Sequence, residues 1–269
     1  MRFASCMAPN AENFFIETVE YLADRLGIDA LVAHDADWEL RERDLDSGNI
    51  EIGWICGLPY VWKADLRSPG VELLAAPVMR AKRYGDQPVY FSDVMVRTNS
   101  KFKSFRELEG ARWAYNEPRS HSGSNVVKAH LYDLGYKDGF FGSVSMAGSH
   151  ETALQMILDG SVDSAAIDTT VYETMLRKVP SWENELRVIQ TLGPSPMPPW
   201  VISTRVDPSR RRNYRRTLAE MHKDAHGVRI LERYAVSRYE LVGDAFYDPI
   251  RIMDRKAREV KPGPERHMG

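Results

Sequence analysis

Asn116-Glu117-Pro118-Arg119-Ser120-His121-Ser122-Gly123-Ser124-Asn125 is a polar turn set between two apolar patterns. Ahead of it, Arg112 to Tyr115 reads as a short buried strand; behind it, Val127, Leu131 and Leu134 recur at helical spacing up to Gly135. The chain therefore passes from strand to helix through hydroxyls and a glycine. A helix that starts this way presents main-chain N–H groups with no intrahelical acceptor, at the positive end of the helix dipole. Ser120 or Ser122 adds a hydroxyl, and Gly123 lets a ligand approach the backbone. These are the parts of an anion site. The same residues also make an ordinary cap, in which a serine only accepts a bond from the first amides, so the surrounding pattern has to decide.

Outward from this turn, strand and helix alternate. Toward the N-terminus the expected strands are Phe3 to Cys6, Ala30 to Val32, Ile50 to Ile55 and Leu73 to Pro77. Between them lie a helix striped by Phe15, Val19, Leu22 and Leu26 and stopped at Gly27, a short one at Trp38 to Leu45, and one starting at Leu58. The apolar run Val89 to Val96 is long enough to carry the chain from one sheet into another. After it come a short helix at Phe105 to Leu108, strands at Gly142 to Met146 and Val162 to Ile167, and a helix from Glu151 to Leu158 capped by Ser149. Trp200 to Ser203, behind a proline-rich turn, is a second crossing. Helices are expected at Pro208 to His226, Val228 to Tyr234 and Asp248 to Arg258. Such alternation predicts an α/β protein of two lobes, each a mostly parallel sheet flanked by helices. Residues 1–92 and 200–269 form lobe 1 and residues 93–199 lobe 2, with a ligand cleft between them and a frayed tail over 260–269. Cys56-Gly57, Gly148-Ser149-His150 and Asp168-Thr169-Thr170 all fall, like the quoted turn, at carboxyl ends of strands.

The 269 residues suffice for two domains, and 36 basic against 38 acidic side chains give a net charge of -2 without blocks. No nucleic-acid face or polybasic membrane patch is announced. Arg210, Arg211, Arg212, Arg215 and Arg216 read as a solvated helix face. No apolar run reaches the ~18 residues of a membrane span. The first residues lack the regions of a secretory signal, so either a signal has been removed or the protein stays in the cytosol. Cys6 and Cys56 make no disulfide framework and are expected as thiols. His222 and His226, four apart on an expected helix, have zinc spacing but no third ligand near in sequence, and a solvated face is the expectation. There is no Walker loop, Gly-x-Ser-x-Gly elbow or Cys-x-x-Cys, and no cofactor is expected.

Together, Ser47 to Trp54, Tyr90-Phe91-Ser92, Ser120-His121-Ser122-Gly123, Gly148-Ser149-His150-Glu151 and Leu158-Asp159-Gly160-Ser161-Val162-Asp163-Ser164-Ala165-Ala166 carry a resemblance. In order and spacing, over roughly residues 1–205, they resemble the phosphate/phosphonate-binding family of substrate-binding proteins that serve ABC transporters, with its type II periplasmic-binding-protein-like fold. The resemblance implies capture of a small phosphorus oxyanion (phosphonate, phosphate or phosphite) by a monomeric protein that hands it to a permease, with periplasmic location. It implies that Ser120, Ser122 and the Gly123 N–H hold the oxyanion, that His150 donates to it, and that Tyr90 or Ser92 adds a contact. His121, inside the motif, and Trp54 join the expected ligand residues, although tryptophans at such places more often pack. Asp168 either caps the next helix or meets a ligand donor. The chain departs from the family in having Ile55 after the tryptophan of the third strand and Thr169-Thr170 where some members have a glutamate. The same architecture also resembles the cytosolic chorismate dehydratases of the futalosine pathway, which makes an enzyme the alternative, and a ligand-sensing module is a third reading.

Overall fold

The structure is a computed structural model describing residues 1–33 and 38–266. It divides into two units, Met1–Val89 with Pro196–Asp248, and Tyr90–Ser195 with the chain from Pro249 onward. The boundaries at 89/90 and 195/196 come a few residues before those read from the sequence. A third passage, at 248/249, was not expected: residues 249 onward were assigned to the first lobe. The reason is packing, since Met253 and Val260 join the apolar cluster of Val127, Phe141 and Val144 in the second unit.

In the first unit the strands are β1 (Arg2–Ser5), β2 (Leu31–Val32), β3 (Ile52–Trp54), β4 (Val71–Met79), β10 (Trp200–Ser203) and β11 (Val236–Glu240), in the order β11-β4-β10-β3-β1-β2. β1 is parallel to β2 and β3, while β10 runs antiparallel to both β3 and β4, so the first four strands share one direction and β10 and β11 oppose them. The stripe on α1 (Glu12–Leu26) is buried as its spacing demands, and the helix stops at Gly27 in the left-handed region. Phe15 and Trp54 both stack on Trp200, placing an aromatic cluster over the sheet. β11 is absent from the sequence reading, and the helix expected over Pro208 to His226 is two elements. α8 (Pro208–Glu220) runs into a 3-10 turn at Met221–Lys223, and Asp224 then caps α9 (Ala225–Arg233) by accepting the amides of His226 and Gly227. Gly227 is needed there because a Cβ would meet the Met221 carbonyl. His222 and His226 thus sit in different elements, and no group of three or more potential ligands could hold a metal ion among the described residues. Cys6 and Cys56 follow the neighbouring strands β1 and β3, and no disulfide joins them. Among the described residues no helix is long and apolar enough to cross a membrane.

In the second unit β5 (Val89–Arg97), β6 (Arg112–Tyr115), β7 (Ser143–Met146), β8 (Ser164–Asp168) and β9 (Leu186–Pro196) are ordered β7-β6-β8-β5-β9. β6 lies parallel to β7 and β8, and β5 is antiparallel to β8 with Ser92 opposite Asp168. The turn before β8 is clamped by Asp163, whose carboxylate takes both the Arg112 main-chain N–H at 2.9 Å and its guanidinium at 2.8 Å. Over residues 260–266 the tail corrects the expectation of fraying, and residues 267–269 lie outside the described residues. The amides of Gly139, Phe141 and Val144 donate to the carbonyls of Lys261, Pro262 and Pro264, and the Arg266 N–H donates to Val144. Residues 261–266 are therefore a strap beside the edge strand β7, meeting main-chain groups that an edge strand leaves open.

Candidate functional site

β6 ends at Tyr115, and the quoted turn leads into a π-helical stretch, His121–Asn125, that continues as α4 (Val126–Asp133). The bonds that open this helix are Asn125 N–H to the Ser120 carbonyl and Val126 N–H to that of His121, so the amides of residues 121–123 lie ahead of them. Ser120 is the cap, its hydroxyl oxygen accepting the Gly123 N–H at 3.1 Å. Two residues on, the Ser122 hydroxyl lies 2.9 Å from Nε2 of His150, the first residue of α5 (His150–Asp159). The two serine oxygens are 3.5 Å apart. All these side chains are buried.

The geometry differs from a simple cradle of amides. The Gly123 N–H, expected to meet an anion directly, is spent on Ser120, and His150 stands behind Ser122. Each serine oxygen has a potential donor at its back: the Gly123 amide for Ser120 and, when Nε2 carries the ring proton, the imidazole for Ser122. With that tautomer, and with neither hydroxyl donating to the other across the 3.5 Å between them, each hydroxyl hydrogen is free to point forward. Two donors side by side can grip two oxygens of one tetrahedral anion. Burial holds the His150 imidazole well below its ordinary value, at about 4, while the Ala166 carbonyl pulls the other way. Gly123 leaves no room for a side chain, because a Cβ would run into the side-chain oxygen of Asn116 and lie 3.2 Å from the His150 ring.

His121 does different work from that expected. Its Nε2 lies 2.9 Å from the Ser195 hydroxyl and its Nδ1 3.1 Å from the Asn125 side-chain nitrogen, so both ring nitrogens are committed within the protein. An amide nitrogen can only donate, so Nδ1 accepts and Nε2 carries the proton toward Ser195. Burial lowers this imidazole to about 4 as well, with Asp254 acting in the opposite sense. Tyr90 packs edge-on against the same ring at 6.4 Å between centroids. The fully buried His121 therefore positions the helix start.

Residues 8–247 match the family described as the ABC transporter, phosphonate, periplasmic substrate-binding protein. The chain belongs to this phosphonate-binding family. Its fold is that of the two-lobed type II periplasmic binding proteins. PhnD1 of Prochlorococcus marinus in complex with methylphosphonate is similar at 16% identity with a TM-score of 0.83, covering 97% of this chain and 98% of that one. A binding-protein component of an ABC phosphonate transporter from Pseudomonas aeruginosa has 18% identity and a TM-score of 0.82, over 96% and 87% of the two chains. A Xanthomonas citri protein bound to ATP follows at 16% and 0.74, over 98% of each chain.

In this member of the phosphonate-binding family the structure brings Ser120, His121, Ser122, Gly123 and His150 together, with β8 packed against the helix start. On β5 the Ser92 hydroxyl is buried with no hydrogen-bond partner among the described residues. Of the two roles open to Asp168, the cap is observed. Its Oδ1 accepts the Thr170 amide at 2.8 Å and the Thr170 hydroxyl at 2.7 Å, and burial pushes the carboxyl up to about 6. Trp54 lies in the other unit, 5% exposed, its indole N–H donated to the Pro198 carbonyl at 3.0 Å and its ring stacked on Trp200. Its contacts are those of a packed core side chain. Asn116, Asn125 and Ser195 were missed. Asn125 stands four residues after His121 on one helix, a spacing that signals contact, whereas nothing local in sequence ties Ser195 to either.

Proposed function

We propose that this chain captures a small phosphorus oxyanion, a phosphonate in the first place, at the helix start of the second unit, and delivers it as a monomer to an ABC-transporter permease from the periplasm. The observation that carries the reading is the pair of buried serine hydroxyls 3.5 Å apart, one accepting the Gly123 N–H and the other 2.9 Å from the His150 ring. Phosphate and phosphite offer the same tetrahedral oxygens and are included. A planar carboxylate has only two oxygens and should bind less well. The reading is one of capture, with no reaction of the ligand.

Calorimetry with methylphosphonate, phosphate, phosphite, sulfate and acetate tests it. Saturable binding of a phosphorus oxyanion is expected, with acetate weaker. A hydrogen bond to a charged group is worth about 1.5 to 3 kcal/mol, so Ser122→Ala should lose roughly ten- to hundredfold in affinity. Because that change also strips His150 Nε2 of its partner, Ser120→Ala serves as the second variant and should lose a similar factor. Catalytic consumption of chorismate without binding of any phosphorus oxyanion would replace this reading with the enzyme one.

A further inference from the structure

Beside the helix start, sharing Gly123 with it but none of Ser120, Ser122, His150 or Asp168, the second unit has a partly open cavity of about 90 Å³. Its walls come from Tyr115 on β6, Ser124 and Lys128 on the helix, and Gly263 and Glu265 on the C-terminal strap. A water needs only about 10–15 Å³ by such a measure, so the space admits a molecule of roughly six non-hydrogen atoms. The strap cannot collapse into it easily, being pinned by the Phe141 and Val144 amides, and a Cβ at Gly263 would meet the Phe141 carbonyl.

The charges on the walls are separated. Lys128 is half-buried and, among the described residues, its ammonium has neither a hydrogen-bond partner nor an ion pair. Glu265 is the carboxylate that acts on it electrostatically, yet no ion pair joins the two. Glu265, exposed at the rim of the cavity, instead accepts the Tyr115 hydroxyl at 3.1 Å, and its remaining carboxylate lone pairs face solvent and the cavity mouth. Other lysines of this unit and its neighbour close onto carboxylates, Lys256 on Asp133 at 2.7 Å and Lys63 on Asp46 at 2.6 Å. A lone anion in the cavity would answer Lys128 but be repelled by Glu265, and a lone cation would fail in the reverse sense. A small molecule carrying both charges satisfies both walls.

From the cavity and the two unjoined charges on its walls, we propose a second ligand site, which takes a small zwitterionic amino acid of about the size of glycine or alanine. Its carboxylate meets Lys128 and the Ser124 hydroxyl, and its ammonium meets Glu265. The proposal does not rest on the oxyanion reading: the two sites adjoin at Gly123 but use different side chains, so each can be tested by itself.

Ligand-observed NMR with isotope-labelled glycine and with alanine tests the proposal in the unaltered protein and in Lys128→Met, Glu265→Gln and Ser122→Ala. Saturable binding is expected, weakened about tenfold or more in Lys128→Met and in Glu265→Gln and unchanged in Ser122→Ala. Acetate and methylammonium, each with one of the two charges, should bind at least tenfold more weakly than glycine, and leucine should be excluded by size. Methylphosphonate is titrated separately and should not displace glycine. No saturation by either amino acid up to about 20 mM, or binding that survives both Lys128→Met and Glu265→Gln, overturns the proposal. So does loss in Ser122→Ala alone, which would put the amino acid at the helix start instead.

Discussion

At the scale of the residue, Gly123 carries the tightest constraint in the site. A methyl group there has to displace the Asn116 side chain or the His150 ring, and moving the ring separates Nε2 from Ser122. Gly123→Ala should therefore weaken methylphosphonate by about tenfold or more while far-ultraviolet circular dichroism stays native; unchanged affinity would mean that the Ser122–His150 contact is irrelevant to binding. The sequence made this glycine, both serines and His150 legible, since hydroxyls and glycine at a helix start have a local signature. His121 was assigned to the ligand because a motif shows adjacency and not which way a ring turns. Its partner Ser195 comes 74 residues later. The buried titrating groups also predict a pH response. His121 and His150 sit at about 4 against an ordinary 6.5, so between those values the unfolded chain holds more protons and stability falls as pH drops, the contribution of these two groups becoming flat below about 4. Asp168, raised to about 6 from 3.8, acts with the opposite sign: its folded carboxyl keeps a proton that the unfolded one has released, which favours the fold in acid. Two imidazoles against one carboxyl leave a net loss. Melting temperature without ligand should fall from about pH 6.5 to 4, and the fall should be shallower in His150→Gln than in the unaltered protein.

Among the elements, the alternation of strands with helices was readable wherever an apolar stripe had a local stop. α1 ends where Gly27 takes a left-handed backbone, and α5 starts where the Ser149 hydroxyl accepts the Thr152 amide at 3.0 Å. β11 was not readable, because its pairing is with β4 more than 150 residues earlier, and Val236-Ser237-Arg238-Tyr239-Glu240 is too short a run to stand out between helices. The same limit hid the C-terminal strap, whose prolines and glycine suggest a loose end until the carbonyls of Lys261, Pro262 and Pro264 are seen to accept amides of residues 139–144. Ending the chain after Glu259 removes those acceptors together with Val260, a member of the apolar cluster. Exchanging each of those main-chain hydrogen bonds for one to water costs about 0.5 to 1.5 kcal/mol. The truncated protein should melt at least several degrees lower, with amide exchange accelerated first over residues 139–144 by hydrogen–deuterium exchange. An unaltered exchange pattern there would mean that the strap is ornamental to the fold.

For the molecule as a whole, the sequence told of two sheets, since two runs of alternation are separated by a long apolar strand. It told less of how often the chain changes sheet, because the third passage falls inside the apparently uniform helix α10 (Asp248–Ala257). The order β11-β4-β10-β3-β1-β2 has a temporal meaning. On the ribosome, β3 and β4 are finished long before β10, which must lie between them, and before β11, which must flank β4 on the other side. At roughly 5 to 20 residues per second, β4 waits on the order of ten seconds for either neighbour. Ribosome-stalled chains ending before β10 should therefore be cut readily by protease within Val71–Met79, and protection there should arise only once residues past Glu240 have left the exit tunnel. During that wait an apolar strand has both edges open, which makes nascent β4 the segment most exposed to mispairing and the place where a chaperone would be of most use.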